Sequence, residues 1–313
     1  MSPEKQIKNL AASVRARLLN IAKDHRIDFN RVLLLYLQQC FLERLAHSKY
    51  RGKFILKGGL LFYGVEPLIA RPTRDIDFLG KGILNKPQEI EAAIREIVLI
   101  DVPDGVQFFP KSIHSEIIHE KGAYSGIRIV IRAELDQARQ NLQIDIGFGD
   151  RLIPGPVEFA YPRLLDDRKI GIYAYSWSSV IAEKFEAIVR FSDLSSRMKD
   201  YYDIYYLKNH FDFDQKELAQ ALTNTFEHRN TDFSDAHYIF SKEFSVNKVK
   251  QNQWQAFLRK NSLKGPEKFS ALIGQLKPFL LPVLSAILSK KVFDLNKTWN
   301  CKNQQWDIKT KQK

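Results

Sequence analysis

The chain has 313 residues, 44% of them apolar, and 48 Lys and Arg against 36 Asp and Glu give it a net charge of +12. That length suits two lobes better than one small core, and the apolar share is that of a globular protein rather than a disordered or fibrous one. No run approaches the roughly 20 apolar residues of a membrane span, and the start, MSPEKQIKNL, lacks the apolar segment of a secretion signal. Cys40 and Cys301 fit neither a metal-ligand spacing nor a disulfide framework, as expected of a reducing cytoplasm. The positive excess suits a polyanionic partner such as RNA, and equally a merely basic surface.

In chain order, Ile7, Leu10, Val14, Leu18 and Ile21 recur at helical spacing, predicting an amphipathic helix over residues 4–24. Asp28 is placed to cap a second helix that runs to Ala46. Phe54–Leu56 reads as a short strand delivering the pair Gly58–Gly59, and LLFYGV after it reads as helical. Arg74–Leu79 is a strand with Asp75, Asp77 and Leu79 on one face and Ile76 and Phe78 on the other. Pro87 opens a helix over Gln88–Ile100. Strands follow at Val106–Phe109, Ile113–His119, Gly126–Ala133 and Leu142–Phe148, the last alternating cleanly with Asp145 on its polar side. Pro154, Pro156 and Pro162 break regular structure, and a lobe boundary is expected near Arg163–Ser176. Beyond it the pattern is helical: Ser176–Phe191, Arg197–His210, Gln215–Phe226, Ser234–Phe240, Val246–Leu258 and Pro266–Ile287. The tail from Asp294 is polar and reads as loose apart from Trp299 and Trp306, for which the sequence suggests no role. The expected division is residues 1–165, 166–292 and a tail over 293–313.

Two constellations carry chemistry. Asp75 and Asp77 repel each other on one strand face unless water surrounds them or a cation lies between them. Hard oxygen ligands of this kind suit Mg²⁺. Gly58 and Gly59 just upstream let the backbone approach a phosphate, and the helical start after them offers N–H groups. A glycine turn followed by a carboxylate pair is minimal equipment for nucleotidyl transfer, with Asp145 the natural third carboxylate. Lys57 reads either as part of this turn or as a surface lysine. In the second constellation, Ile181, Phe185 and Ile188 form a buried stripe with Lys184 on its rim, about 60° round from Ile181. Asp200 and Asp203 share a helix face with Ile204 and Leu207 and need partners: Lys184, Arg190, Arg197 or a ligand. Tyr201, Tyr202 and Tyr205 read as packing. The alternative is a structural ion-pair network between two helices. The seven His form no zinc pattern, and no GxSxG or Walker motif is present.

The Gly-Gly turn, Asp75-Ile76-Asp77 and the later Asp145 strand resemble the DNA polymerase β-like nucleotidyltransferase superfamily. Ala182-Glu183-Lys184, the Arg197–Asp203 run, and the segments SVRARLLNIA and FLERLAHS extend the likeness from about Ile7 to about Leu280, and make it a resemblance to the AbiEii/AbiGii toxins. The resemblance implies an α+β, two-lobed fold: a nucleotidyltransferase lobe of mixed sheet and flanking helices, packed on a mainly helical C-terminal lobe with the site in the cleft. It implies an NTP-dependent, Mg²⁺-dependent nucleotidyltransferase toxin of a phage-defence type of toxin–antitoxin system. Asp75, Asp77 and Asp145 would hold the metal and Lys184 would be the nucleotide-phosphate lysine. Asp200 or Asp203 would be the catalytic or lysine-orienting carboxylate. Lys57, Gly58, Gly59, Arg74 and Arg197 would complete the nucleotide site. The expected acceptor is the 3′ end of tRNA and the expected partner an antitoxin, with no membrane and a monomer or weak oligomer. Nucleotidylation of a protein and a non-catalytic nucleotide- or RNA-binding module are the alternatives.

Overall fold

The computed structural model describes residues 9–65, 73–119, 125–291 and 295–309. They form two units: residues up to Gly149 with Pro156–Ala174, and Asp150–Gly155 with the chain from Tyr175 onward. In the first unit the order is α1 (Leu10–Asp24), α2 (Phe29–Ala46), β1 (Phe54–Lys57), α3 (Gly58–Tyr63), β2 (Asp75–Gly80), α4 (Pro87–Val98), β3 (Val106–Phe108), β4 (His114–His119), β5 (Ser125–Leu135), β6 (Ala138–Gly147), β7 (Val157–Pro162) and β8 (Lys169–Ala174).

The strands make one mixed sheet in the order β3-β5-β6-β2-β1-β8-β7, with β4 also on β5. The β2/β6 and β1/β8 pairs are parallel and the others antiparallel. Period-two alternation sends Ile76 and Phe78, Ile144 and Ile146, and Ile127 and Ile129 to one face, where each is almost wholly buried. On that face the Phe41 ring of α2 lies 6.3 Å from Phe78. Burying each such side chain contributes about 1.5–3 kcal/mol. The opposite face is thereby left for polar side chains. α2 starts where expected, with Asp28 accepting from Arg31 N at 3.2 Å. α1 starts at Leu10, capped by Asn9; the part of its expected span before residue 9 lies outside the described residues. Deep in this unit Arg44 is paired with Asp104, and both are buried.

Strands β7 and β8 were not expected: Pro154, Pro156 and Pro162 suggest broken structure, and Arg163–Ser176 a lobe boundary. The three prolines obscured the alternation of Ile170, Ile172 and Ala174, all buried. β7 lies at the sheet's edge, where Pro162 can close it without removing an inner hydrogen bond.

The second unit holds α5 (Trp177–Phe191), α6 (Met198–His210), β9 (Phe213–Asp214), α7 (Gln215–His228), α8 (Ala236–Ile239), α9 (Lys242–Ser245), α10 (Lys248–Asn261), α11 (Phe269–Leu288), β10 (Lys297–Asn300) and β11 (Gln305–Ile308). α5 packs on α6 and α7, with Phe185 stacked on Phe240 and beside Phe226. Two expectations need correction here. α11 is 20 residues long and its most apolar 18-residue stretch has a mean hydropathy of 1.7, so by length and composition it could cross a membrane, although no run was expected to come close. It contains Pro278 and Pro282, and Leu272, Leu276, Phe279 and Val283 bury its inner stripe within the unit. Nor are the described residues of the tail, 295–309, loose. β10 and β11 form a hairpin that extends β9. Trp299 is fully buried and donates to the Lys208 carbonyl at 2.7 Å, while Trp306 stacks on Phe279 and donates to its carbonyl. Two indoles each gain an apolar neighbour and a hydrogen-bond acceptor, which anchors an otherwise polar segment.

Candidate active site

The sheet register builds the first cluster. Lys57 on β1 stands opposite Asp77 on β2, Asp77 opposite Asp145 on β6, and Asp145 opposite Arg128 on β5. Residues opposite one another share a face, so four adjacent strands present a row of cation, carboxylate, carboxylate, cation. Glu116 of β4 extends it beyond Arg128. Asp75 joins two residues along β2. One carboxylate oxygen from each of Asp75, Asp77 and Asp145 lies within 4.8 Å of the others, and all three residues are half-buried. Such a set of hard oxygens at the sheet face, open enough to retain waters, fits a divalent cation.

Each carboxylate has its own support. Thr73 Oγ1 donates to Asp75 at 3.0 Å. Arg128 forks onto Asp145, with Nε and a terminal nitrogen each 2.8 Å from a different oxygen, and Gln143 reaches both oxygens at 3.3 Å. Glu116 steadies Arg128 from its other side at 3.3 Å. Asp77 lies against the glycine turn. Gly58 has φ +69°, and a Cβ placed there would stand 1.9 Å from Asp77 Oδ2. Backbone conformation and the carboxylate together exclude any side chain at Gly58. The close approach that the sequence assigns to a phosphate is thus already made by Asp77 itself. Gly59 is buried in the first turn of α3. Lys57 is 9% exposed, not a surface lysine, and its Nζ passes over Gly147, whose Cβ would lie 3.7 Å away. Arg74 precedes β2 and is exposed.

The second cluster lies within the helical unit. Lys184 of α5 reaches Asp200 at 3.2 Å and Asp203 at 2.6 Å, both on α6, and Arg197 at the start of α6 meets the other Asp200 oxygen at 2.5 Å. Both aspartates are essentially fully buried. Burial pushes the Asp200 carboxyl up, but Lys184 and Arg197 outweigh it and hold it below the ordinary carboxylate range. Arg190, another possible partner, turns to Glu186 instead. Tyr201 packs edge-on against Phe269 and Tyr202 against Trp254 and Phe257. Glu183, next to Lys184, faces Arg229, which also meets Asp150 and the buried Glu186.

Sequence reasoning missed Arg128, Gln143, Thr73 and Glu116. Arg128 lies 17 residues from Asp145, and only the β5/β6 register makes them neighbours. An Arg128→Lys protein keeps the charge and loses the fork. Its affinity for Mn²⁺, measured by paramagnetic resonance, is expected to fall about tenfold to a hundredfold, the usual effect of removing an orienting partner of a metal ligand. Unchanged affinity would show that Asp145 needs no such support.

Convergent carboxylates on a mixed sheet beside a glycine turn are the equipment of metal-assisted phosphoryl and nucleotidyl transfer, and the fold is that of the polymerase β-like nucleotidyltransferases. Residues 40–275 match the family described as "Nucleotidyl transferase AbiEii toxin, Type IV TA system". The chain belongs to that family, the nucleotidyltransferase toxins of toxin–antitoxin systems, and membership implies an antitoxin partner. No curated protein matches it significantly. Among solved structures, one from Helicobacter pylori described as a candidate nucleotidyltransferase is 14% identical, with a TM-score of 0.43 over 85% of this chain and 97% of that one. JHP933 from Helicobacter pylori is also 14% identical, with a TM-score of 0.46 over 85% of this chain and 93% of that one.

Proposed function

We propose that this nucleotidyltransferase moves a nucleoside monophosphate from an NTP to a hydroxyl of RNA, with the 3′ end of tRNA as acceptor and Mg²⁺ as the metal. The observation that carries the reading is the convergence of Asp75, Asp77 and Asp145 on one sheet face. The acceptor hydroxyl releases its proton to solvent, its oxygen attacks the α-phosphorus, the α–β anhydride bond breaks, and pyrophosphate leaves. Mg²⁺ bound by the three carboxylates would neutralise phosphate charge and make the acceptor hydroxyl more acidic. Asp75 and Asp77 hold their oxygens toward that position. Asp145, gripped at both oxygens by Arg128, suits a carboxylate that holds a cation better than one that takes up a proton. Gly58 lets Asp77 lie against the backbone, and the turn, with Lys57, Gly59 and Arg74, is read as the nucleotide-phosphate cradle. Lys184 is read as the cation for the leaving phosphates, with Asp200 and Asp203 orienting it and Arg197 supporting Asp200. The net charge of +12 and two free cysteines support an RNA acceptor and a reducing cytoplasm.

The test is incubation of the purified protein with total bacterial RNA, Mg²⁺ and each NTP labelled at the α-phosphate, beside an Asp75→Ala control. Label in tRNA-sized RNA, absent from the control, is the expected result. Label confined to protein would replace the RNA acceptor with a protein one. No label with any NTP from folded protein would remove the transfer reading.

A further inference from the structure

The charge of this protein is unevenly placed. Residues 242–313 contain 15 Lys and Arg against 4 Asp and Glu, a net of +11, which leaves +1 for the first 241 residues. Twelve of these cations are described and exposed, and among them only Lys309 has a carboxylate partner, Asp214. In the first 241 residues positive and negative charges nearly balance, and Arg15, Lys49, Arg51, Arg132, Arg139 and Arg168 are among the cations that pair with an Asp or Glu. Gathering like charge without internal partners costs self-repulsion, and a basic surface kept only for solubility has no reason to be confined to one quarter of a chain.

We infer that α10 and the turn after it grip the phosphate backbone of the RNA acceptor; this rests on the RNA reading above. α10 contains no carboxylate. Lys248, Asn252, Gln255 and Arg259 recur at i, i+4, i+7 and i+11, and all are exposed, so cations and amide donors line one stripe of the helix. Lys260, Lys264 and Lys268 continue the positive charge through the turn, against the single exposed carboxylate of Glu267.

The opposite face of α10 holds this stripe rigidly. Trp254 is fully buried and donates to the Pro266 carbonyl at 2.7 Å. Gln251 bonds both the Glu267 carbonyl and the Phe269 amide, fastening the turn to the helix. Lys250, buried on the same side, donates to the carbonyls of Ser192, Asp193 and Ser195. A fixed backbone spares the site the cost of ordering the main chain on binding. The stripe offers no buried aromatic or aliphatic anchor of the kind that dominates protein–protein interfaces, which favours a phosphate backbone over an acidic protein.

The experiment measures binding of unlabelled tRNA over a series of salt concentrations. It compares the full chain, a K260Q/K264Q/K268Q variant, and a control losing three exposed charges of the other unit, K81Q/K86Q/K111Q. Loss of three phosphate contacts should flatten the slope of log affinity against log salt by about 2 and weaken binding about tenfold or more at moderate salt. The control should keep both slope and affinity. Binding by the wild type that the first variant leaves unchanged, or that both variants weaken equally, overturns this placement alone. A wild type that binds no RNA overturns the RNA acceptor together with it. Tight binding of a polyglutamate peptide, lost in the first variant while tRNA binding is retained, would assign the surface to an acidic protein and overturn the inference.

Discussion

An Asp77→Asn protein is expected to lose nucleotidyl transfer by at least about a thousandfold while remaining folded. The substitution keeps the side chain's volume, so the contact with Gly58 that leaves no room for a Cβ is preserved. What it removes is one of two negative charges that face each other across the parallel β2/β6 pair, within a set of oxygens no more than 4.8 Å apart. A neutral amide oxygen is a poorer ligand for a hard cation, and the negative charge that draws one to the three converging carboxylates falls by one. The measurement is label incorporation together with Mn²⁺ binding, beside a circular dichroism spectrum. Retention of more than about a tenth of the wild-type rate would remove Asp77 from the metal set, since a lost ligand ordinarily costs far more.

The second large effect is expected at Lys184. Lys184→Met should destabilise the helical unit by about 3–5 kcal/mol, because Asp203 loses the ammonium 2.6 Å away and Asp200 keeps Arg197 without Lys184. The effect depends on pH with a definite sign. The folded Asp200 carboxyl is held below its ordinary value, so its stabilising contribution is complete at neutral pH and is lost as pH falls through the folded pKa. Deprived of Lys184, the buried carboxylates take up protons at higher pH and their penalty is relieved. The stability gap between wild type and variant should therefore be widest near neutrality and narrow in acid. A K184M/D203L protein separates stability from chemistry. Replacing a buried pair by apolar side chains of similar volume is often neutral or better, so denaturation should return close to the wild-type midpoint while transfer stays lost. Recovery of transfer with stability would make the cluster purely structural.

The polar clusters differ in how far the chain alone revealed them. Asp75 and Asp77 were legible because a strand's period of two is local: two residues apart means the same face, whatever the rest of the fold does. Asp145 was legible for the same reason, as the polar break in a clean alternation. Lys184 was placed at the rim of a buried stripe by the helical period, and its 9% exposure agrees. Arg128 could not be found in this way. Its strand reads as an ordinary alternating run, and its pairing with Asp145 follows from which strand lies beside which. Strands β7 and β8 were lost because prolines, strong local punctuation in a sequence, are tolerated at a sheet's edge, and no residue announces that it will be at the edge. The hairpin at the end was lost because its composition is polar; its order comes from Trp299 and Trp306 finding Phe279 and backbone carbonyls on distant elements.

The sequence by itself determined the two lobes' composition, most of the helices and strands, the glycine turn and the residues able to hold a metal, because each of these depends on spacing within about ten residues. Only the tertiary structure decided that Asp77 and Asp145 stand opposite each other, that Arg128 holds Asp145, that Gly58 is empty of a side chain for the sake of Asp77, and that Lys184 is shared by two aspartates. Those are facts of register and packing between segments far apart in the chain, and the burial of the apolar faces on the other side of the same strands and helices fixes them.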